Sequence, residues 1–71
     1  MAIDICEQFG TNLRRIRRKH GLTQEQLAHR VGMDVSYLSE LEKGRKEPCL
    51  RMMKEISQAL GITLAQLLRG I

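Results

Sequence analysis

The residues of this chain that can do polar chemistry gather between positions 34 and 46, in the stretch DVSYLSELEKGRK. Val35, Ser36, Ser39, Glu40 and Lys43 form the short or polar outer side of a helix whose inner side is Leu38 and Leu41. The cations Lys43, Arg45 and Lys46 stand at its end. Small hydroxyls and a carboxylate can hydrogen-bond base edges at close range, and the adjoining cations suit flanking phosphates. The stretch therefore fits insertion into a DNA groove. The competing reading is a solvated helix face with ordinary surface lysines, since helical hairpins are common in small α domains. Enzyme chemistry has less to work with. His20 and His29 have no positioned nucleophile or carboxylate, and no glycine-rich loop offers to cradle a phosphate. Cys6 and Cys49 lie in no CxxC or histidine-containing pattern, so no zinc site and no disulfide framework is expected. No metal, cofactor or small-molecule ligand is implied.

Two short helices must hold that face. Thr23 is a good N-cap, and Gln26 three residues on completes a capping box, while Leu22 and Leu27 occupy the positions of a hydrophobic staple. Leu27, Ala28 and Val31 give an apolar stripe, and Gly32 stops the helix. Asp34 then caps the second helix, with Met33 and Leu38 as its staple and Gly44 at its end. Cap, helix, glycine, short turn, cap, helix is the sequence form of a helix-turn-helix, here spanning about residues 23–42.

The rest of the chain reads as support. Helix 1 is expected from about Asp4 to His20, with Ile5, Phe9, Leu13 and Ile16 as its buried stripe and Gly21 closing it. Arg17 borders that stripe rather than opposing it, so its guanidinium needs a fixed anion. Glu42, one residue after the inward Leu41, is the best candidate. Pro48 suits the start of a fourth helix, about residues 49–60, with Leu50, Met53, Ile56 and Leu60 at core spacing. A fifth helix, about residues 63–69, repeats the capping box with Thr63 and Gln66 and the staple with Ile62 and Leu67. Leu64 and Leu68 lie along one line and Leu67 is turned away by about 100° per residue, so the three cannot all face one small core. One direction is expected to remain exposed until a second copy covers it, with Ile71 extending the patch. Leu64, Leu68 and Ile71 are the expected dimer interface.

Length and charge set the outer bounds. Seventy-one residues make one domain, residues 1–71, near the size where a lone core yields only about 3–5 kcal/mol. With one Phe, one Tyr and no Trp, the core must be aliphatic, and the composition favours an all-α fold. The net charge of +4 is uneven: residues 13–46 carry nine basic and four acidic side chains. That is the electrostatic footprint of a nucleic-acid binder, with a basic membrane-surface helix as the other reading. The N-terminal MAIDICEQ is acidic and lacks an apolar run, so it is no signal peptide, and no stretch approaches a membrane span. A reducing cytoplasm is the expected location.

Three stretches in order, LRRIRRKHGLTQEQLA, VGMDVSYLSELEKGRKEP and LRMMKEISQALGITLAQLL, resemble the phage repressor and Cro-like helix-turn-helix regulators, the Xre family, from about Phe9 to Leu68. The resemblance implies a compact five-helix bundle of the lambda-repressor-like type that binds double-stranded DNA as a homodimer. It implies that Gln24 touches a phosphate and buttresses the recognition helix, and that Arg17 and Glu42 pair. Val35, Ser36, Ser39 and Glu40 would then face base edges, while Tyr37, Lys43, Arg45 and Lys46 reach the sugar-phosphate backbone. Helix 5 would dimerise, and the operator would contain inverted half-sites about 34–36 Å apart. Two departures stand out. Cys49 replaces the usual serine cap after proline, which admits a redox-sensing reading, and Glu40 replaces the neutral amide of many relatives. The leading functional expectation is a sequence-specific transcriptional regulator without enzymatic activity, of the phage-repressor, restriction–modification controller or antitoxin kind. The alternative is a protein-binding module or antitoxin that keeps the fold and grips a partner with helix 5.

Overall fold

A computed structural model describes residues 3–71. Met1 and Ala2, the start of the acidic stretch read above as lacking signal-peptide character, lie outside the described residues. Five helices follow one another: α1 (Ile5–Lys19), α2 (Gln24–Val31), α3 (Val35–Glu42), α4 (Leu50–Leu60) and α5 (Leu64–Leu67). No strand occurs among the described residues.

Local chemistry sets each beginning. Asp4 accepts from the Cys6 amide at 2.9 Å, and both halves of the Thr23–Gln26 and Thr63–Gln66 capping boxes are formed. Asp34 caps α3. Cys49 caps α4 through its sulfur, which accepts from the Met52 amide at 3.4 Å, so the thiol takes over the serine's part. Both cysteines are free thiols.

The helices bury one aliphatic core. Leu13, Leu27, Leu38, Leu41, Ile56 and Leu67 are fully enclosed, joined by Phe9, Ile16, Ala28 and Leu60. Each such side chain contributes roughly 1.5–3 kcal/mol relative to exposure. α1 packs on α3 and α5, α2 on α3 and α4, and α4 on α5. The chain thus holds α3 between α1 and α2. Gly10 is what lets α1 approach so closely. A Cβ there would stand 2.5 Å from the carbonyl oxygens of Leu41 and Glu42 at the end of α3.

Three expectations change. Ile5 and Leu50, placed in buried stripes by spacing, are 61% and 66% exposed. Each is the first residue of its helix, where the periodic stripe continues past the body it packs on. α5 ends at Leu67 rather than near residue 69. Beyond it the chain tightens into turns, Arg69 N–H donating to the Gln66 carbonyl and Ile71 N–H to that of Leu68. Asn12 on α1 donates to the otherwise orphaned carbonyls of Arg69 at 2.8 Å and Leu67 at 3.4 Å.

Candidate nucleic-acid interface

α3 is fastened by one buried polar knot. Arg17 Nε donates to Glu42 Oε2 at 2.7 Å and its NH2 group donates to Oε1 at 3.0 Å, a two-pronged pair with both residues buried. The remaining prong, NH1, donates to the carbonyl of Leu22 at 2.7 Å, and Gln24 Nε2 donates to Glu42 Oε1 at 3.0 Å. One carboxylate therefore ties the last turn of α3 to α1 and to the first residue of α2. Glu42 sits where the α3 dipole disfavours an anion, and Arg17 sits where the α1 dipole favours a cation. The pair compensates the first with the second. No buried side-chain nitrogen or oxygen among the described residues lacks a partner. Breaking such a pair strands a charge and costs about 3–5 kcal/mol.

Outside the knot lies a polar, exposed face. Val35 and Ser36 are exposed, and Ser39 and Glu40 are half-exposed. Lys43, Arg45 and Lys46 are exposed at the end of α3. Tyr37 and Gln24 are half-buried, the ring of Tyr37 packing on the core. The residues expected to read bases thus sit on one helix, with the cations just beyond its C-terminus.

Sequence reasoning missed two contacts on this face. Asp34 Oδ1 accepts from both the amide of Ser36 at 2.8 Å and its hydroxyl at 2.7 Å. Those hydrogen bonds hold the Asp34 carboxyl below its ordinary value. Arg45 NH1 approaches Glu40 Oε2 at 3.5 Å. The backbone produces this second contact. Arg45 N–H donates to the Glu40 carbonyl at 3.0 Å and Gly44 N–H to that of Leu41 at 3.1 Å, a Schellman turn with Gly44 at φ +76. The Asp34 signal was legible as a serine two residues after a capping aspartate; the Arg45 signal required the turn.

Elsewhere the surface is apolar and open. A groove of about 400 Å³ runs between the start of α1, the start of α4 and the C-terminus, lined chiefly by Ile5, Phe9, Pro48, Met53, Leu68 and Ile71. Leu67 turns fully inward, whereas Leu64 and Leu68 are half-buried against their own core. The expected line of Leu64, Leu68 and Ile71 is thereby divided. Leu68 and Ile71 line the groove, and Leu64 does not. Cys6 also borders it. Desolvation and the nearby Asp4 and Glu47 carboxylates push its thiol up from the ordinary range.

No helix among the described residues is long and apolar enough to cross a membrane. A family model for the helix-turn-helix (HTH_3) matches residues 13–67. The chain is 42% identical to an HTH-type transcriptional regulator, y4dJ, of Sinorhizobium fredii, over 92% of this chain and 84% of that protein. Among solved structures, the clp gene regulator ClgR from C. glutamicum matches with a TM-score of 0.92 at 35% identity, over 96% of this chain and 87% of that one. The restriction-modification controller protein C.AhdI from Aeromonas hydrophila matches with a TM-score of 0.85 at 35% identity, over 87% and 94% respectively. These likenesses run through the segments that form the knot and the polar face, and the chain belongs to the helix-turn-helix (HTH_3, Xre-like) family of DNA-binding transcriptional regulators.

Proposed function

We propose that the chain is a sequence-specific regulator that binds an inverted-repeat operator as a homodimer in the cytoplasm, in the manner of a restriction–modification controller. α3 enters the major groove. Val35, Ser36, Ser39 and Glu40 meet base edges, and Gln24, Tyr37, Lys43, Arg45 and Lys46 grip the phosphates. The observation that carries the reading is the contrast around α3: a buried pair fixes its inner side while its outer side presents small polar groups beside three exposed cations. Such a face can exchange its water for base edges and phosphates and is held rigid, as groove reading requires.

The second copy is seated on the apolar groove. Leu68 and Ile71 contribute from the C-terminus, Leu64 flanks them, and Ile5 adds apolar surface from α1. A two-fold dimer presents two recognition helices about one DNA turn, 34–36 Å, apart. The same groove supports the other reading, a module that captures a different protein. Salt separates them, because phosphate contacts weaken steeply as salt rises and apolar capture does not.

Selection from a random duplex pool tests the reading. An enriched inverted repeat is expected. A pool that stays unenriched at every salt concentration from low to physiological overturns it.

A further inference from the structure

The two hydrogen-bonding side chains on the α3 reading face whose partners are fixed within the chain, Ser36 and Glu40, lie four residues apart, one helical turn, and so share one side of the helix. Their chemistry is restricted by neighbours that touch no base. Asp34 is a carboxylate and can only accept, so the proton in the 2.7 Å contact between Ser36 Oγ and Asp34 Oδ1 is the serine's own. That proton points back into the cap. What Ser36 offers outward is lone pairs. Glu40 is acceptor-only by nature. Its Oε2 faces Arg45 at 3.5 Å, and among the described residues its Oε1 has no partner within the chain. The Schellman turn folds Arg45 back toward Glu40, and the side-chain contact follows that backbone bond.

We infer that α3 is preset as a hydrogen-bond acceptor surface, which selects duplexes presenting exocyclic amino groups, cytosine N4 or adenine N6, in the major groove opposite Ser36 and Glu40. The inference rests on the DNA reading above and gives it a chemical class of target. In the major groove guanine and thymine present acceptors where cytosine and adenine present amino donors. Acceptor against acceptor leaves both unpaired and repelling, which discriminates against G and T at those positions. Arg45 is then a positioning residue. Besides gripping a phosphate, it offsets the charge of Glu40, which would otherwise be repelled by the DNA backbone, and holds Oε2 so that Oε1 faces the base. Asp34 positions Ser36 in the same way, through the hydrogen bond it accepts from the hydroxyl.

The experiment starts from the duplex enriched by the full chain in random selection. At each position in a half-site, cytosine is replaced by pyrimidin-2-one or adenine by purine, which removes only the amino group. In parallel, 7-deazaguanine and 7-deazaadenine remove only the N7 acceptor. Affinity should fall about tenfold or more on loss of one or two amino groups, with the N7 changes tolerated at those same positions. Glu40→Gln, which can donate as well as accept, should then admit G or T at its position. Arg45→Ala should relax base preference at that position about 2- to 5-fold, the range an exposed pair allows, with Arg45→Lys restoring part of it. Melting curves of each variant should match wild type, which separates positioning from loss of fold. An operator that keeps full affinity without any of its amino groups, or an Arg45→Ala variant that weakens every sequence equally, overturns the inference while leaving DNA binding intact. Absence of any enriched duplex overturns the DNA reading first and this inference with it.

Discussion

The two sides of this small domain are built on opposite plans. On the α2–α3 side a charged pair, Arg17 and Glu42, is buried beside the aliphatic core, and the exposed groups are mainly polar or cationic. On the side where α1 begins and the chain ends, large apolar groups are themselves exposed: Ile5 and Ile71 stand open at the groove, and Leu50 is exposed in the first turn of α4. The first side offers directional contacts and holds them with an internal anchor. The second has no anchor and offers only area. A surface meant for hydrogen-bonded reading has to be rigid before its ligand arrives, whereas one meant for apolar contact can be completed by whatever covers it. The two sides should therefore fail differently under mutation.

The largest effect belongs to the anchor. Glu42→Ala leaves the Arg17 guanidinium buried beside one carbonyl and should destabilise the fold by about 3–5 kcal/mol, measured by urea unfolding. The Arg17→Ala, Glu42→Ala double variant should lose less than the sum of the two single losses. A Glu42→Ala loss under about 1 kcal/mol would put the pair among exposed surface bridges and erase the contrast between the two sides.

On the apolar side, Ile5→Glu should leave the unfolding midpoint nearly unchanged, because Ile5 is 61% exposed and holds nothing in place. It should weaken self-association by about 1.5–3 kcal/mol, the value of covering one such side chain, read by sedimentation. Leu68→Glu is a less clean probe. Leu68 packs on its own core as well as on the groove, so that substitution should lower both stability and association.

Smaller again is Lys46→Ala. It should weaken all duplexes alike and reduce the slope of log affinity against log salt by about one, without touching base preference or stability. A changed base preference would move Lys46 from the backbone to the reading group.

The smallest effect is a pH dependence at the cap of α3. The Asp34 carboxyl is held below its ordinary 3.8 by hydrogen bonds from Ser36. The charged form is thus favoured by the fold. The stability it contributes is present above pH 3.8 and is lost as pH falls through the lower folded-state value. Asp34→Asn should flatten the pH dependence of the unfolding midpoint in that acid window, lowering the midpoint slightly near neutrality and matching wild type at the acid end.

Much of this was readable from the chain because its causes are local. The two capping boxes lie within four residues of themselves, and both form where the spacing predicts. The Arg17–Glu42 pair was readable for a different reason. A guanidinium beside an apolar stripe demands an anion, and few carboxylates in 71 residues could supply one. What the sequence hides is whatever depends on where another element ends. Ile5 and Leu50 have the periodicity of buried residues but begin helices that extend past their partners. The need for Gly10 inside α1 is visible only once the carbonyls at the end of α3 are placed 2.5 Å from where its Cβ would be. Arg45 reads as one more phosphate cation until the turn at Gly44 carries it back to Glu40. The apolar groove is of the same kind, since its walls come from three separated stretches of chain.

In the proposed function the polar side reads DNA while the apolar side joins two copies to do so. Sedimentation equilibrium of the protein, alone and with its enriched duplex, tests both halves at once. A dimer is expected in free solution at high concentration, with two chains on each duplex, whose two half-sites are inverted and one helical turn apart. A chain that remains monomeric at high concentration and binds its duplex one to one would contradict it.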